Sequence, residues 1–297
     1  MKTVKNTIPV YDICSLKGGD PGSADVVAAT FTDYLRDHPN LHWPHRHSFY
    51  HIVLFTAGGG FHTIDFERFD VKAGQMYVMV PGQVHTWDFK GAIEGYVLNF
   101  SEHFFDQFLF RHQYFEHFPV MQGIASESVL RLNRKDQEQA ITLLDRIISE
   151  LQQGAYMAPD MIRTCILQLL ILASRSSRPR NEASVTPHNR LLLAQFRKLI
   201  ELHFAEKRLP KDYAELLYIT PNHLNALCKD TVNKAAGELI RDRILLEAKR
   251  LLVNADTSVA EIAGGLSFTD NSHFTRFFKK NTGYTPEEFR RTYINNH

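Results

Sequence analysis

The chain has 297 residues, enough for about two domains, and its 44% hydrophobic and 23% charged residues are typical of a globular protein. It contains no run of 18 apolar residues, and its first residues lack the apolar segment of a signal peptide. The three cysteines form no CxxC pair, and their odd number argues against a disulfide framework. We therefore expect a cytoplasmic protein that does not act in a membrane.

The net charge is only +1, but the charge is unevenly distributed. From His188 to the end there are 17 Lys and Arg against 13 Asp and Glu, whereas the preceding part has 17 against 20. A basic C-terminal part attached to a slightly acidic body is compatible with DNA binding. The excess is too small to identify a DNA-binding protein by itself.

Residues 1–125 are predicted to form a β domain. Four runs rich in β-branched and aromatic residues indicate strands: Phe49–Phe55, Phe61–Phe66, Met76–Val80 and Tyr96–Phe100. The glycines Gly58–Gly60 and the dipeptide Pro81–Gly82 are expected to separate these strands. Several short strands with regular turns predict a sandwich or a small barrel.

Residues 126–174 change to a helical period. Apolar side chains recur at helical spacing from Leu143 to Leu151 and from Ile162 to Ala173, with Gly154 between the two runs. Such helices either cover the β domain or pair with another subunit. Residues 175–187 are rich in Ser and Arg and are predicted to be a linker.

Residues 188–297 are predicted to be all helical and contain one pattern twice. The first copy consists of Ala214-Glu215-Leu216, His223-Leu224, Leu227 and Lys229, and the second of Ala260-Glu261-Ile262, His273-Phe274, Phe277 and Lys279. Each copy indicates a short helix, a turn and an amphipathic helix, as in a helix-turn-helix whose second helix lies in a DNA major groove. A long helix predicted at 236–253 would set the distance between the two.

The exposed faces of the two second helices supply the candidate contacts to double-stranded DNA. Asn can bond adenine and Arg guanine in a bidentate manner, whereas Lys contacts phosphates. The predicted contacts are Asn222, His223, Asn225, Ala226 and Lys229 in the first helix, and Asn271, Ser272, His273, Thr275, Arg276, Lys279 and Lys280 in the second.

This C-terminal part resembles the DNA-binding region of the AraC/XylS transcription regulators. The resemblance is carried by Ile262-Ala263, Phe268, Ser272, Phe274, Arg276, Phe278-Lys279-Lys280, Gly283, Thr285-Pro286 and Phe289-Arg290. It implies a homodimer on repeated half-sites that works with RNA polymerase, as an activator more than as a repressor. The sequence departs from the family at Gly264, Gly265 and Ser267, the last of which replaces the usual turn glycine, so we expect a looser or reshaped second unit.

Histidines crowd two segments of the β domain. His42, His45, His47 and His51 lie within ten residues, and His85 follows the dipeptide Pro81–Gly82. The two segments resemble the two motifs of the cupin barrel, whose metal-binding members supply HxH, a later Glu and a final His. The matching positions here are His45, His47, His51 in place of Glu, and His85. Because alternate residues of a strand share a face, His45 and His47 are expected to point the same way.

Three interpretations of these histidines remain open. We favour a site for a small organic effector, such as a carboxylate or a phenol, without a metal or other cofactor. The predicted effector contacts are His45, Arg46, His47, His51, Tyr77, His85 and Trp87. In the second interpretation His45, His47, His51 and His85 bind a transition-metal ion, and in the third the histidines are structural.

The combined prediction is a two-domain, effector-controlled transcription regulator that is not an enzyme. Its N-terminal part is expected to be an all-β cupin-like barrel followed by helices. Its C-terminal part, 188–297, is expected to be all-α with two helix-turn-helix units joined by a long helix. The alternative is a metal-dependent cupin oxygenase or isomerase fused to a DNA-binding domain. The missing carboxylate at position 51 and the absence of a phosphate loop or a GxSxG motif argue against an enzyme.

Overall fold

The structure is a computed structural model that describes residues 8–16, 25–38, 43–106, 108, 115, 118–177, 186–253 and 257–295. The chain divides into two compact units, Pro9–Pro179 and Arg180–His297. The first is a β-sheet followed by helices and the second is all helical, which confirms the predicted fold class. No described helix combines the length and hydropathy needed to span a bilayer. His42 and positions 178–185 of the predicted linker lie outside the described residues.

The first unit contains one eight-stranded sheet. Its strands are β1 Val10–Tyr11, β2 Val26–Thr30, β3 His45–His47, β4 Tyr50–Ile64, β5 Glu67–Asp70, β6 Gln75–Met79, β7 Val84–Phe100 and β8 Val129–Arg131. The order is β1-β3-β7-β4-β6-β8, with β2 also paired to β7 and β5 to β4. Only the β1–β3 pairing is parallel among the described strands. The helices of this unit are α1 Phe31–Asp37, α2 Ala125–Ser128, α3 Arg134–Gln153 and α4 Ala158–Ser176.

Strands β4 and β7 are longer than the sequence predicted. Strand β4 continues through Gly58–Gly60, because Gly58, with a φ of 116°, lies in the bulged stretch against β7, and Gly60, with a φ of 106°, follows it in regular pairing. These glycines bend a continuous strand, so the prediction that they separate two strands is wrong. The predicted strand Phe61–Phe66 ends early, since Asp65 and Phe66 have positive φ values and form the turn into β5.

The sheet buries both of its faces. Along β4, Ile52 and Leu54 point to an outer face, whereas Val53 and Phe55 point to an inner face. Helices α3 and α4 pack their apolar sides on the outer face. The helical segment predicted at 126–174 therefore covers the sheet of its own chain, and α4 extends to Ser176, inside the predicted linker.

Strand β4 curls around the inner face. His51 and His62 are 11 positions apart, which corresponds to about 36 Å in a straight strand at about 3.3 Å per residue. The centroids of both rings nevertheless lie 5.3 Å from that of His85. The bulges between Phe55 and Gly59 allow this return, so the sheet is closed enough to surround its inner face as a small barrel does.

The second unit consists of seven described helices. They are α5 Pro187–His203, α6 Pro210–Leu216, α7 Pro221–Val232, α8 Ala236–Leu252, α9 Val259–Gly265, α10 Asn271–Thr282 and α11 Pro286–Asn295. Helix α8 matches the predicted long helix and buries Ile240, Ile244, Ala248 and Leu252. It contacts α6 and α7 as well as α9, and thus joins the two halves of this unit.

Candidate DNA-binding surface and histidine cluster

Helices α6–α7 and α9–α10 form the two helix-turn-helix units. The hydroxyl of Thr220 accepts a hydrogen bond from His223 N at 3.1 Å at the start of α7. The carboxylate of Asp270 accepts one from His273 N at 2.6 Å at the start of α10. Each second helix therefore begins at a side-chain cap that satisfies one of its free backbone donors.

The turns of the two helix-turn-helix units share one backbone hydrogen bond, but their alignment differs from the sequence pattern. Ile219 N donates to Ala214 O, and Phe268 N donates to Ala263 O in the same way. Ala214 thus corresponds to Ala263, whereas Ala260, which the pattern paired with it, lies almost one helical turn earlier. The repeated Ala-Glu pair suggested the wrong alignment, because Glu261 forms a capping box with Ser258 at the start of α9.

One residue in each turn, two positions after the end of the first helix, adopts the same conformation. Tyr218 has a φ of 56° and Ser267 a φ of 53°, so each is left-handed without being glycine. The second turn is one residue longer than the first, because Ser267 precedes its capping residue Asp270 by three positions, whereas Tyr218 precedes Thr220 by two. The expectation of a reshaped second turn is therefore not contradicted. Gly264 and Gly265 end α9, where no atom within 4 Å would meet an added Cβ.

Most of the predicted DNA contacts are on the surface. The exposed ones are Asn222, His223, Ala226, Lys229, Asn271, Ser272, His273, Arg276, Lys279 and Lys280, whereas Asn225 and Thr275 are half-buried. With α7 and α10 aligned at their caps, Ala226 corresponds to Arg276 and Lys229 to Lys279. Arg276 makes no hydrogen bond or ion pair with another described residue. Its guanidinium is thus available to a base edge.

Asn225 has a partner inside the protein. Its Oδ1 accepts a hydrogen bond from Ala236 N, the first backbone donor of α8, at 3.1 Å. The preceding residue is Ala235, which has no side chain that could cap this helix. After the second helix-turn-helix unit the corresponding helix is α11. Its first residue, Pro286, has no N–H and needs no such acceptor. Asn225 therefore ties the first recognition helix to α8.

We expect Asn225→Ala to lower the free energy of unfolding of the whole helical unit by about 1–2 kcal/mol, because Ala236 N loses its acceptor. Urea unfolding followed by far-ultraviolet circular dichroism measures this loss. Asn222→Ala is the matched control on the same helix, since Asn222 is exposed. Equal effects of the two substitutions would contradict the capping role.

The inner face of the first unit carries five buried histidines, here called the histidine cluster. They are His45 and His47 of β3, His51 and His62 of β4, and His85 of β7, and none is more than 3% exposed. Four of them were predicted from the sequence, and His62 was not. Strand alternation could not reveal His62, because only the curl of β4 brings it beside His85.

Hydrogen bonds orient the rings of the cluster. His45 Nδ1 lies 2.7 Å from the carbonyl oxygen of Trp43, and His51 Nδ1 lies 2.6 Å from Asn99 Oδ1. His85 bridges two rings, with its Nε2 at 2.8 Å from His47 Nε2 and its Nδ1 at 3.1 Å from His62 Nε2. Asn99 Nδ2 donates a hydrogen bond to the hydroxyl of Tyr34 at 3.2 Å, so both residues support His51, and neither was predicted from the sequence.

Burial keeps these imidazoles neutral at pH 7. Desolvation lowers the pKa of His45 to about 4 and that of His51 to about 3, and the hydrogen bonds of both rings oppose the shift only in part. The pKa values of His47, His62 and His85 are lowered well below the usual value, first by burial and then by repulsion between the rings.

The other predicted effector contacts are not all brought to the cluster. Trp87 is there, with its ring centroid 5.2 Å from that of His85 and its Nε1 without a hydrogen-bond partner in the described part of the chain. The ring of Tyr77 packs on His62, but its hydroxyl donates to Asp70 O at 2.9 Å. Arg46 lies between two inward-pointing histidines on β3 and is therefore on the opposite side of the strand.

The first unit is a β-sheet whose inner face carries buried histidines, and the second is helical with two helix-turn-helix motifs. This combination is typical of a DNA-binding regulator with a separate sensing domain. Comparisons with known proteins agree with this class. Residues 213–292 match a family described as helix-turn-helix domain, and residues 32–158 match one described as AraC-like ligand binding domain. The chain belongs to the AraC/XylS family of transcription regulators.

Individual relatives are more distant. The HTH-type transcriptional activator RhaR of Mannheimia succiniciproducens is 24% identical over 255 residues, covering 84% of this chain and 87% of the relative. The uncharacterized HTH-type transcriptional regulator YijO of Escherichia coli is 32% identical over 128 residues, covering 42% and 45%. The structure of unsaturated fatty acid bound ToxT from Vibrio cholerae has a TM-score of 0.42 at 11% identity, covering 91% of this chain and 96% of ToxT.

Proposed function

We propose that the protein is a transcription activator that reads two successive major-groove segments with α7 and α10. The observation that carries this proposal is the presence of two recognition helices, each capped at its start and both packed, through their units, on the single helix α8. A rigid helix between two recognition helices sets the spacing of the base pairs that they contact. The relative RhaR of Mannheimia succiniciproducens is named as an activator, which supports activation here.

The proposed base contacts come from the exposed positions of the two helices. Arg276 is the proposed guanine reader, and Asn222, Ser272 and Asn271 are further candidates. Lys229, Lys279 and Lys280 are proposed to contact phosphates. We leave Asn225 out of this set because its side-chain oxygen already holds Ala236.

The histidine cluster is the proposed effector site. His45 Nε2, His51 Nε2 and Trp87 Nε1 are buried polar atoms without a hydrogen-bond partner among the described residues. A phenol could donate its O–H to an imidazole nitrogen, and a carboxylate could accept from the Trp87 N–H. A small organic molecule of either class would satisfy these atoms, which supports control of the regulator by such an effector.

The remaining features of the proposal follow from the family. We propose that the protein acts as a homodimer on repeated half-sites, recruits RNA polymerase and works in the cytoplasm, where its DNA lies. We also propose regulation without catalysis, because the matched families are described as a helix-turn-helix domain and a ligand binding domain. Analytical ultracentrifugation on and off DNA tests the dimer, and a chain that stays monomeric at micromolar concentration would contradict it.

Selection of DNA from a random pool tests the proposed function directly. The full chain is expected to enrich one sequence with two half-sites, and a fragment from Thr186 onward is expected to bind the same sequence more weakly. Repeating the selection with a library of small carboxylates and phenols tests effector control. Recovery of unenriched DNA under all conditions would refute sequence-specific reading.

We expect Arg276→Ala to weaken binding to the selected sequence by about 1–3 kcal/mol and to relax the preference at one guanine. Lys279→Ala is the matched contrast on the same helix. It should weaken binding to all sequences similarly and lower the salt dependence of binding by about one ion, because it contacts a phosphate. Fluorescence anisotropy with specific and random duplexes measures both effects. Equal losses on the two duplexes for Arg276→Ala would contradict base reading.

A further inference from the structure

Arg208 directly joins the two helix-turn-helix motifs of the helical unit. It lies in the loop between α5 and α6, just before the first residue of α6, and is half-buried. Its guanidinium lies over the ring of Phe268, with Cζ 3.8 Å from the ring centroid. Its Nη2 also donates a hydrogen bond to the carbonyl oxygen of Leu266. Because Leu266 and Phe268 lie in the turn between α9 and α10, an arginine next to the first motif holds the turn of the second.

Both partners of Arg208 favour a cation at this place. The last carbonyl groups of a helix have no donor within the helix, and Leu266 is the C-cap residue of α9. The face of an aromatic ring attracts a guanidinium, and Phe268 supplies that face. The ring of Phe268 is itself fixed to α10, because its centroid lies 5.1 Å from those of both Phe274 and Phe277. Arg208 therefore holds the end of α9 and, through Phe268, also α10.

Helix α8 is the other connection between the two motifs. It contacts α6 and α7 of the first motif and α9 of the second. A single helix fixes the distance between two motifs, but rotation of one motif about that helix is opposed only by side-chain packing. The contact of Arg208 runs from the loop before α6 to the turn before α10 without passing through α8. A second connection away from α8 opposes this rotation.

The contact of Arg208 is not part of the repeated helix-turn-helix pattern. When the two motifs are aligned on their shared backbone hydrogen bond, Arg208 corresponds to Thr257 and Phe268 corresponds to Ile219. Neither Thr257 nor Ile219 can form a pair between a cation and an aromatic ring. The turn of the first motif thus forms without such a pair, so the distinct effect of Arg208 is to join the motifs.

We propose that Arg208 is a positioning residue for DNA reading, which sets the rotation of α10 relative to α7. One base pair changes the separation of two groove segments by about 3.4 Å and their relative rotation by about 35°. A fixed rotation between the recognition helices therefore selects one spacing of the two segments. The effect on DNA spacing rests on the proposed function, whereas the clamp of Arg208 on the α9–α10 turn does not.

Hydrogen exchange of the full chain, followed by mass spectrometry, tests the clamp without DNA. We expect Arg208→Ala to speed exchange of the backbone amides of 263–270 by at least about 10-fold, because the turn loses both contacts that hold it. Arg190→Ala is the matched control, since Arg190 is exposed on α5 and the substitution removes the same charge. Its exchange at 263–270 should stay natural. Natural exchange at 263–270 in Arg208→Ala would overturn the proposal.

DNA duplexes of altered spacing test the positioning role. One base pair is inserted or removed between the segments that α7 and α10 read in the selected sequence. Fluorescence anisotropy with the full chain gives the preference for the selected spacing. We expect Arg208→Ala to reduce this preference by about 10-fold, because a less constrained α10 tolerates other rotations, and Arg190→Ala to keep it. An unchanged preference in Arg208→Ala would refute the positioning role.

The salt dependence of binding separates positioning from a direct contact with DNA. An arginine that holds a protein turn leaves the salt dependence unchanged when it is replaced, whereas loss of a phosphate contact lowers it by about one ion. A decrease of that size in Arg208→Ala would overturn the proposal. If Arg208→Ala fails to fold, Arg208→Lys replaces it, because lysine keeps the charge but lacks the planar guanidinium. A natural spacing preference in Arg208→Lys would then overturn the proposal.

The two measurements also separate this proposal from the proposed function. A natural chain that enriches no DNA sequence would refute the proposed function, and exchange at 263–270 would still decide whether Arg208 clamps the turn. Sequence-specific binding with an unchanged spacing preference in Arg208→Ala would do the reverse.

Discussion

Gly95→Ala is expected to destabilise the first unit strongly. Gly95 lies in β7 opposite Phe55, at the bulged part of the β4–β7 pairing, and has a φ of 152°. An added Cβ would lie 2.0 Å from the carbonyl oxygen of Leu54, which belongs to the backbone of the adjacent strand and cannot rotate away. We expect a loss of more than about 4 kcal/mol in the free energy of unfolding, because the backbone strain and the clash occur together.

The measurement is urea unfolding followed by tryptophan fluorescence, since both tryptophans, Trp43 and Trp87, belong to the first unit. Gly59→Ala is the matched control in the paired strand. Its added Cβ would lie 4.0 Å from the backbone oxygen of Lys90, its nearest neighbour outside the adjoining residues, so we expect a change within about 1 kcal/mol. A Gly95→Ala protein with the natural unfolding midpoint would show that the β4–β7 bulge is not packed as described.

Acidification below pH 6.5 is expected to destabilise the same unit. The cluster histidines have lowered pKa values in the folded chain, about 4 for His45 and about 3 for His51, whereas an unfolded histidine titrates near 6.5. Below pH 6.5 the unfolded chain therefore binds more protons than the folded chain. The stabilisation by the neutral buried rings is complete above pH 6.5 and is lost as the pH falls toward 4.

The magnitude at pH 5 is about 2 kcal/mol for each of His45 and His51, and the other three histidines add to it in the same direction. Urea unfolding at pH 7 and pH 5, with a chelator present and tryptophan fluorescence as the probe, measures the loss. His103→Ala is the control and should keep the full pH dependence, because His103 is outside the cluster and exposed. A free energy of unfolding that is the same at both pH values would contradict the neutral, buried state of the cluster.

Local signals in the sequence were sufficient for the helical unit. The caps at Thr220, Ser258 and Thr285 and the apolar spacing of the long helix predicted elements that the structure contains, because caps and helix faces depend on neighbours within four residues. Prediction from the sequence failed where repeated residue types do not occupy equivalent positions in the structure. The Ala-Glu repeat suggested an alignment that is almost one helical turn off, since only the backbone bond to Ala214 or Ala263 identifies the equivalent position.

The sequence by itself determined the class of the protein and most residues of the two candidate sites. The residue types and spacings of α9–α11 indicated the AraC/XylS family, and the HxH pair with His85 indicated a buried histidine site. Only the tertiary structure decided that Gly58 and Gly60 bend one strand instead of ending two, and that Asn225 supports α8. It also brought His62 to His85 across 23 positions. Each of these depends on contacts between distant segments, and no local pattern of side chains encodes them.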